Sequence, residues 1–423
     1  MKKGLVISWY FPPINSSEGL VTFKLLKNST YEYDVFTQNS NTSWSYGSNA
    51  DKLTSSNINT IFAKTKDINE WVKEGIEYFE ANKDKYSFIM SRSMAPESHM
   101  IALEIKRRYP DVKWIASFGD PIADNPFNYF FKQVNPYTIK GMGIENIGFK
   151  YALNPIRITK SSVWKLRNKR YKRKHDPETK NIVLQRNILN SADRIILNNE
   201  YQKKHMLKTC INKDDVDKKI IVIPHTYDSD FYDRKVKKNK DKIKIVYLGH
   251  LDDIRTPKNF LEALSRLNEK EDLKNKLIVE FYGNLSPSDK ARIIDYDLCD
   301  VVKVKKPVSY FDSLKIMQES NWLLLVDANL SEFLPENIFF AAKIADYLGA
   351  KSNIFGITMI DGASADILRE TNSIVSSYSV DEIYMYLKQI VDGTCEFETT
   401  NNSKYDIKNV VVKYDEMVNN LIK

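Results

Sequence analysis

Short apolar runs alternate with longer amphipathic stretches along almost the whole chain. In the first half the runs fall at 5–8, 33–36, 59–62, 88–90, 113–117, 194–197 and 220–223. Helical spacing fills several of the gaps, as at 97–108 and 200–209. Residues 226–241 are polar and charged and read as a linker. A second series starts at 243–247 and continues through 277–281, 301–304, 322–326 and 354–358, again with helices between. The runs are β-branched and apolar on both faces, as in parallel strands covered from two sides. No short-period repeat interrupts them. The pattern predicts an α/β protein of two doubly wound, Rossmann-like domains facing across a cleft. The expected division is 1–224, with an insertion at about 125–180, then a linker at 225–241, a second domain at 242–404 and a closing helix at 405–423.

Bulk composition narrows the function classes. At 423 residues the chain is too long for one ordinary core and suits two. It is 42% hydrophobic and 28% charged, which is globular composition. No apolar run reaches membrane-spanning length. The opening Met1-Lys2-Lys3-Gly4-Leu5-Val6 leads straight into Phe11-Pro12-Pro13, so it reads as a first strand and not as a signal peptide. Cys210, Cys299 and Cys395 are few and far apart, which points to a reducing, cytoplasmic compartment and neither a disulfide framework nor a zinc site. The formal charge of +8 fits an anionic partner.

Candidate chemistry clusters where strands end. After the first strand, Ser16, Ser17, Glu18 and Gly19 precede a helix, where free backbone N–H groups can seat phosphate or hydroxyl groups. Asp120 ends another strand and either faces the cleft or caps the Asp-Pro turn. The segment from Tyr247 to Phe260 ends a strand at Gly249 and starts a helix near Pro257, with Arg255 and Lys258 flanking that helix start. A diphosphate there would meet a helix dipole and two cations. Phe339 to Ala350 is an apolar helix-forming run that ends at Gly349 and carries one acid, Asp346. A carboxylate between two strands of an α/β edge suits paired ribose hydroxyls, although it can also simply solvate the helix. Asp295-Tyr296-Asp297 imitates a metal signature but falls between elements and reads as surface. No His/Cys/Asp/Glu group has metal spacing, so no metal and no resident cofactor are expected. Residues 160–174 carry eight Lys/Arg and no Asp/Glu, beside the aromatic-rich 127–151. That is a membrane-surface composition and would suit nucleic acid too, although no nucleic-acid partner is expected.

Several of these stretches resemble the GT-B glycosyltransferases of the GT4 kind. Lys343-Ile344-Ala345-Asp346-Tyr347-Leu348 is similar to their Lys-Ile-x-Glu-Tyr-Leu donor motif, with Asp for Glu. The first Glu of their longer Glu-x7-Glu motif would fall at Ile338, with Glu336 nearby but off register. Tyr10-Phe11-Pro12-Pro13 followed by Gly19 looks like their opening, where two glycines are common. Their diphosphate-binding Arg normally follows the Gly directly; His250 stands there, so the role passes to Arg255, with Lys258 matching the family's Lys. The resemblance implies donor contacts at Gly249, His250, Tyr282, Gly283, Asn284, Ser309, Tyr310, Glu336, Lys343 and Asp346. It assigns the catalytic roles to Arg255, Lys258 and Asp120, and implies that the last helix crosses back to the first domain.

The resemblance implies a metal-independent transferase. Such an enzyme moves a sugar, with retention, from a nucleotide-diphosphate donor to a glycan or lipid-linked acceptor in surface polysaccharide or glycoconjugate synthesis. The basic run places it at an anionic membrane surface. Two other readings stay open: a catalytically silent GT-B subunit, and a nucleotide-sugar epimerase.

Overall fold

A computed structural model describes residues 2–14, 16–39, 51–127, 177–233, 241–251, 255–400 and 403–423, together with isolated positions at 155–166, 236 and 238. Most of the basic run at 160–174 and almost all of the aromatic segment at 127–151 therefore lie outside the described residues.

The first sheet has seven strands: β1 (Lys3–Ser8), β2 (Glu32–Thr37), β3 (Ile58–Phe62), β4 (Phe88–Arg92), β5 (Trp114–Ser117), β6 (Arg194–Leu197) and β7 (Ile220–Val222). Their order is β3-β2-β1-β4-β5-β6-β7, all parallel. The second sheet has six: β8 (Ile243–Leu248), β9 (Leu277–Tyr282), β10 (Val302–Lys305), β11 (Trp322–Val326), β12 (Asn353–Ile357) and β13 (Ile374–Ser376). Their order is β10-β9-β8-β11-β12-β13, again parallel. Burial explains the unbroken apolar runs: every residue of β4, β5 and β11 is buried, so both faces must be hydrophobic.

In each sheet the strand order reverses at one place, between β1 and β4 in the first and between β8 and β11 in the second. Helices leave such a point on opposite faces, which opens a crevice at the carboxyl ends of the strands. Register aligns Ser8, Arg92 and Ser117 at that edge of the first sheet. Gly249 and Asp327 follow β8 and β11 at the corresponding edge of the second.

The two halves share one apolar cluster. It runs from Val6, Leu26 and Val35 through Tyr227, Phe231 and Phe340 to Val246, Leu323 and Ile344. The stretch expected as an open linker begins buried: Thr226, Tyr227 and Asp228 are all enclosed, and Lys27 pairs with Asp228 at 2.8 Å. The last helix, Ile407–Leu421, packs on the first sheet's side. Its Asp415 accepts hydrogen bonds from Ser29 and Thr30, and Lys413 donates to the Val222 carbonyl.

Candidate functional site

A cleft of about 430 Å³ lies between the two sheets' carboxyl edges. Helix Ser17–Asn28, Asp120, His225, the turns after β8 and β11, and the segment Asn337–Asp346 wall it. Of the residues singled out from sequence, Ser17, Glu18, Asp120, Gly249, Arg255, Tyr310, Lys343 and Asp346 line this one cleft.

On the wall of the first domain, Ser16 precedes the helix and Ser17, Glu18 and Gly19 form its first turn. Gly19 is therefore helical and not a turn residue. Its role is close packing, since a Cβ there would meet the Phe11 backbone at 3.1 Å. Glu18 receives Arg92 Nε at 2.9 Å, and Arg92 Nη1 donates to Ser117 Oγ at 2.9 Å. Arg92 is 3% exposed, so this pair is deep. The Glu18 carboxylate lies over Gly119, where a Cβ would come within 2.5 Å of it. That brings it beside Asp120. Burial first, and then the Glu18 charge, push the Asp120 carboxyl up to about 7, against the pull of Arg92 and Arg255. Glu18 is raised as well, by burial, with Arg92 opposing.

The facing wall is cationic at its entrance. Gly249 and Gly283 both have positive φ, +132° and +145°, and a Cβ on Gly283 would sit 2.0 Å from the Gly249 carbonyl oxygen. The turn after β8 is thus stacked on the turn after β9, with Gly249 N–H donating to Tyr282 O at 3.0 Å. Lys343 Nζ reaches over this turn, donating to Tyr247 Oη at 3.0 Å and to Leu248 O at 3.1 Å. The guanidinium of Arg255 stands 5.4 Å from the Phe127 ring centroid. Helix Ala342–Ala350 starts at the cleft: Ala341, Ala342 and Lys343 all line it, and its cap residue Ala341 offers no side-chain acceptor. No side chain caps this start, which leaves it a seat for an anion at the Ala342 and Lys343 end, while Ile344 N–H is given to the Ala341 carbonyl at 2.9 Å.

Asp346 sits one turn deeper. Its Oδ1 accepts from Tyr310 Oη at 3.0 Å and from Lys24 Nζ at 3.2 Å. Tyr232 reaches the same residue, donating to its backbone carbonyl at 2.9 Å. Gly349 makes that approach possible, because a Cβ there would strike the Tyr232 ring at 2.5 Å. The helix does not end at Gly349; it runs to Ala350 and closes on Lys351 in the left-handed region.

The other expected residues are not among those that line the cleft. Lys258 opens helix Lys258–Asn268, as expected, but is not among the cleft-lining residues described; the helix starts that border the cleft include Ser17 and Ala342. His250 is exposed, and its carbonyl accepts from Tyr247 Oη. Tyr282, Gly283 and Asn284 form the layer behind Gly249, with Tyr282 Oη donating to Glu280. Ser309 caps helix Tyr310–Glu319. Glu336 pairs with Lys204 of the first domain at 3.1 Å, away from the cleft.

Sequence reasoning passed over four residues that line or brace the site. Lys24 is 2% exposed and also donates to the Thr226 carbonyl. Its signal was a lone lysine inside Phe23-Lys24-Leu25-Leu26. Arg92 had the signal of a cation at a strand's carboxyl end. Asp327 is buried after β11, receiving Asn337 Nδ2 at 3.1 Å and Thr358 Oγ1 at 3.2 Å. His225 lines the cleft at 4% exposure against Phe340. Burial, then Arg92 and Lys24, hold its pKa well below the usual range, so it is neutral. Among the described residues no group of three or more His, Cys, Asp or Glu could hold a metal ion.

No protein-family model matches the chain, and no curated protein matches it by sequence. Solved structures do match over the full length. Sucrose-phosphate synthase from Thermosynechococcus elongatus superposes with a TM-score of 0.64 at 10% identity, covering 100% of this chain and 99% of that one. The lipopolysaccharide outer core galactosyltransferase WaaB, in its apo form, gives 0.55 at 11% identity, with 99% of each chain covered. The fold is GT-B. A UDP-GlcNAc 2-epimerase from Neisseria meningitidis, bound to UDP-GlcNAc, gives 0.53 at 11% identity, covering 99% of this chain and 100% of that one. Glycosyltransferases and nucleotide-sugar epimerases thus share this architecture, and identities this low speak to the fold alone.

Proposed function

We propose that the protein is a glycosyltransferase that takes a sugar from a nucleotide-diphosphate donor and passes it to a glycan or lipid-linked acceptor. The observation that carries this reading is one cleft at the carboxyl edges of both sheets, which brings Lys343, Arg255 and the helix start at Ala342 together with Asp346, Asp120 and Glu18.

In this reading the donor diphosphate lies against Lys343, Arg255 and the first turn at Ala342. As the glycosidic bond breaks, negative charge grows on the leaving phosphate, and preorganised donors in a water-poor site stabilise it. Asp346 receives the ribose. The acceptor hydroxyl approaches from the Asp120 wall. Where the sugar is transferred with retention, as the GT4 resemblance implies, the leaving phosphate itself can take the acceptor proton. Two cations and a helix dipole supply the neutralisation that a divalent ion supplies elsewhere, so turnover should survive EDTA.

The epimerase reading gains support from the same wall, where two carboxyls of raised pKa stand together. One experiment separates the readings. Nucleotide sugars are incubated with and without glycan acceptors, in buffer with EDTA, and products are resolved by chromatography. Acceptor-dependent release of nucleoside diphosphate supports the transferase. A new nucleotide sugar formed without acceptor supports the epimerase. No turnover of either kind, with donor bound, would leave a binding subunit.

A further inference from the structure

The turn that carries Asp120 is held through its backbone. The Gly119 carbonyl accepts from Asn198 Nδ2 and from Gln202 Nε2, the latter at 3.1 Å. Both donors are buried, at 4% and 1% exposure. They stand at the start of helix Glu200–Leu207 and brace each other, since Asn198 N–H donates to Gln202 Oε1 at 2.8 Å. Asn199, between them, faces both domains. Its Oδ1 caps the helix, accepting from Gln202 N–H at 2.8 Å, and its Nδ2 donates to the Ile338 carbonyl of the second domain at 3.0 Å. Two exposed contacts of the same helix also reach the second domain. Tyr201 Oη donates to Asp366 at 2.6 Å, and Lys204 donates to Glu336 at 3.1 Å. Tyr201 packs against the apolar cluster of Ile338, and so does Phe127 at the far end of the Asp120 loop, 4.9 Å from Phe339 between ring centroids.

Two amide donors fill both lone pairs of the Gly119 carbonyl. Turning the peptide between Gly119 and Asp120 would leave those buried donors unpaired, which costs more than losing an exposed contact. The donors stay aligned while the helix start keeps its place, and the second domain bears on that start through Asn199, Tyr201 and Lys204. We propose that Asn198, Asn199 and Gln202 are positioning residues for Asp120, and that they couple its placement to the docking of the second domain. The link is a continuous chain of hydrogen bonds from Ile338 through Asn199 and Gln202 to Gly119. Opening the cleft withdraws Ile338, Asp366 and Glu336 from this helix and loosens the Asp120 turn. The carboxyl is therefore set in place only when the facing wall is in place. Asp120 acts in sugar transfer only on the reading above; the coupling holds or fails without it, and the experiment reads the coupling alone.

Amide hydrogen exchange of the full chain, read by mass spectrometry, tests this. Tyr201→Phe combined with Lys204→Met removes two contacts to the second domain, and neither side chain hydrogen-bonds to Gly119 or Asp120. Asn199→Asp keeps the cap acceptor and loses the donor to Ile338. In each variant the amides of 118–125 should exchange roughly tenfold faster than in the wild type, as when a hydrogen bond to a charged partner or across a domain contact no longer opposes opening. Those of strand Trp114–Ser117 should stay unchanged. Gln202→Met, which loses the donation to Gly119 directly, should speed the same 118–125 amides. Unchanged exchange at 118–125 in variants that melt cooperatively would overturn the proposal. Equal acceleration in Trp114–Ser117 would overturn it too, because the loss would then be one of global stability and not of a coupled turn.

Discussion

Asp120 stands in the field of one carboxylate and two cations, and burial decides its state. With its pKa at about 7, native Asp120 keeps its proton over a range where the unfolded chain, near 3.8, has lost it. Between those values the native state binds more protons than the unfolded one. This group's stabilising contribution is therefore full below about pH 4 and declines as pH rises toward 7. Glu18 is shifted in the same direction, so it adds to the slope. Asp120→Asn should flatten that decline, which urea midpoints of both proteins at pH 4.5, 6 and 8 would reveal. Identical pH slopes would mean that Asp120 is ionised throughout. Lys24 teaches a different point at the same scale. A lysine inside an apolar helix stretch marked a buried charge, but its partner 322 positions away could be identified only in three dimensions.

Among elements, the stacked turns after β8 and β9 hold the cationic wall in place. Gly283 has no room for a side chain and a φ of +145° that other residues rarely adopt. Gly283→Ala should destabilise the second domain by about 2–4 kcal/mol, from strain together with the displaced Gly249 carbonyl. Chemical denaturation monitored by tryptophan fluorescence checks this, and a change under about 0.5 kcal/mol would mean that the turns are not rigidly stacked. Isolated glycines at strand ends made these turns legible in sequence, as unbroken β-branched runs did for the strands of both sheets. β13 was not legible, because three residues between polar flanks carry no period. The start of helix Ala342–Ala350 was misplaced for a physical reason. Phe339 and Phe340 have helix-compatible character, but Asn337 just before them is bound through its backbone to Asp361 and Ala363, which holds the chain extended into the cleft wall. Ser17, Glu18, Asp120 and Gly249 were readable at strand ends and at the helix start after β1; Lys24, Arg92 and Asp327, whose partners are remote in sequence or carried no local signal, were not.

The whole molecule is two sheets joined by one apolar cluster, a buried connection and a closing helix. Two doubly wound halves followed from the alternation of runs and the polar stretch at 226–241, and GT-B from the motif resemblance. The pairing of walls did not, since Lys24–Asp346 and Lys204–Glu336 cross between domains. At this scale the strongest charge feature of the sequence is the acid-free basic run at 160–174. The described residues within it include Val163 and Leu166, at 49% and 63% exposure. Neutralising Lys165, Arg167, Lys169, Arg170, Lys172 and Arg173 together should reduce co-sedimentation with anionic vesicles, since each basic residue near such a surface contributes about 1 kcal/mol. The effect should shrink at high salt. Equal sedimentation of wild type and variant at low salt would make the run an ordinary solvated surface.

The proposed chemistry depends on one site: a nucleotide-diphosphate sugar held between Lys343, Arg255, the helix start at Ala342 and Asp346. Titration calorimetry of a nucleotide-sugar panel against wild type, Lys343→Met and Asp346→Asn probes that site without relying on turnover. At least one donor should bind the wild type, and each variant, if it melts cooperatively, should bind that donor roughly tenfold or more weaker, the loss expected when a charged hydrogen-bonding partner is removed. A wild type that binds no nucleotide sugar, or folded variants that bind it as tightly as the wild type, would contradict a donor site in this cleft.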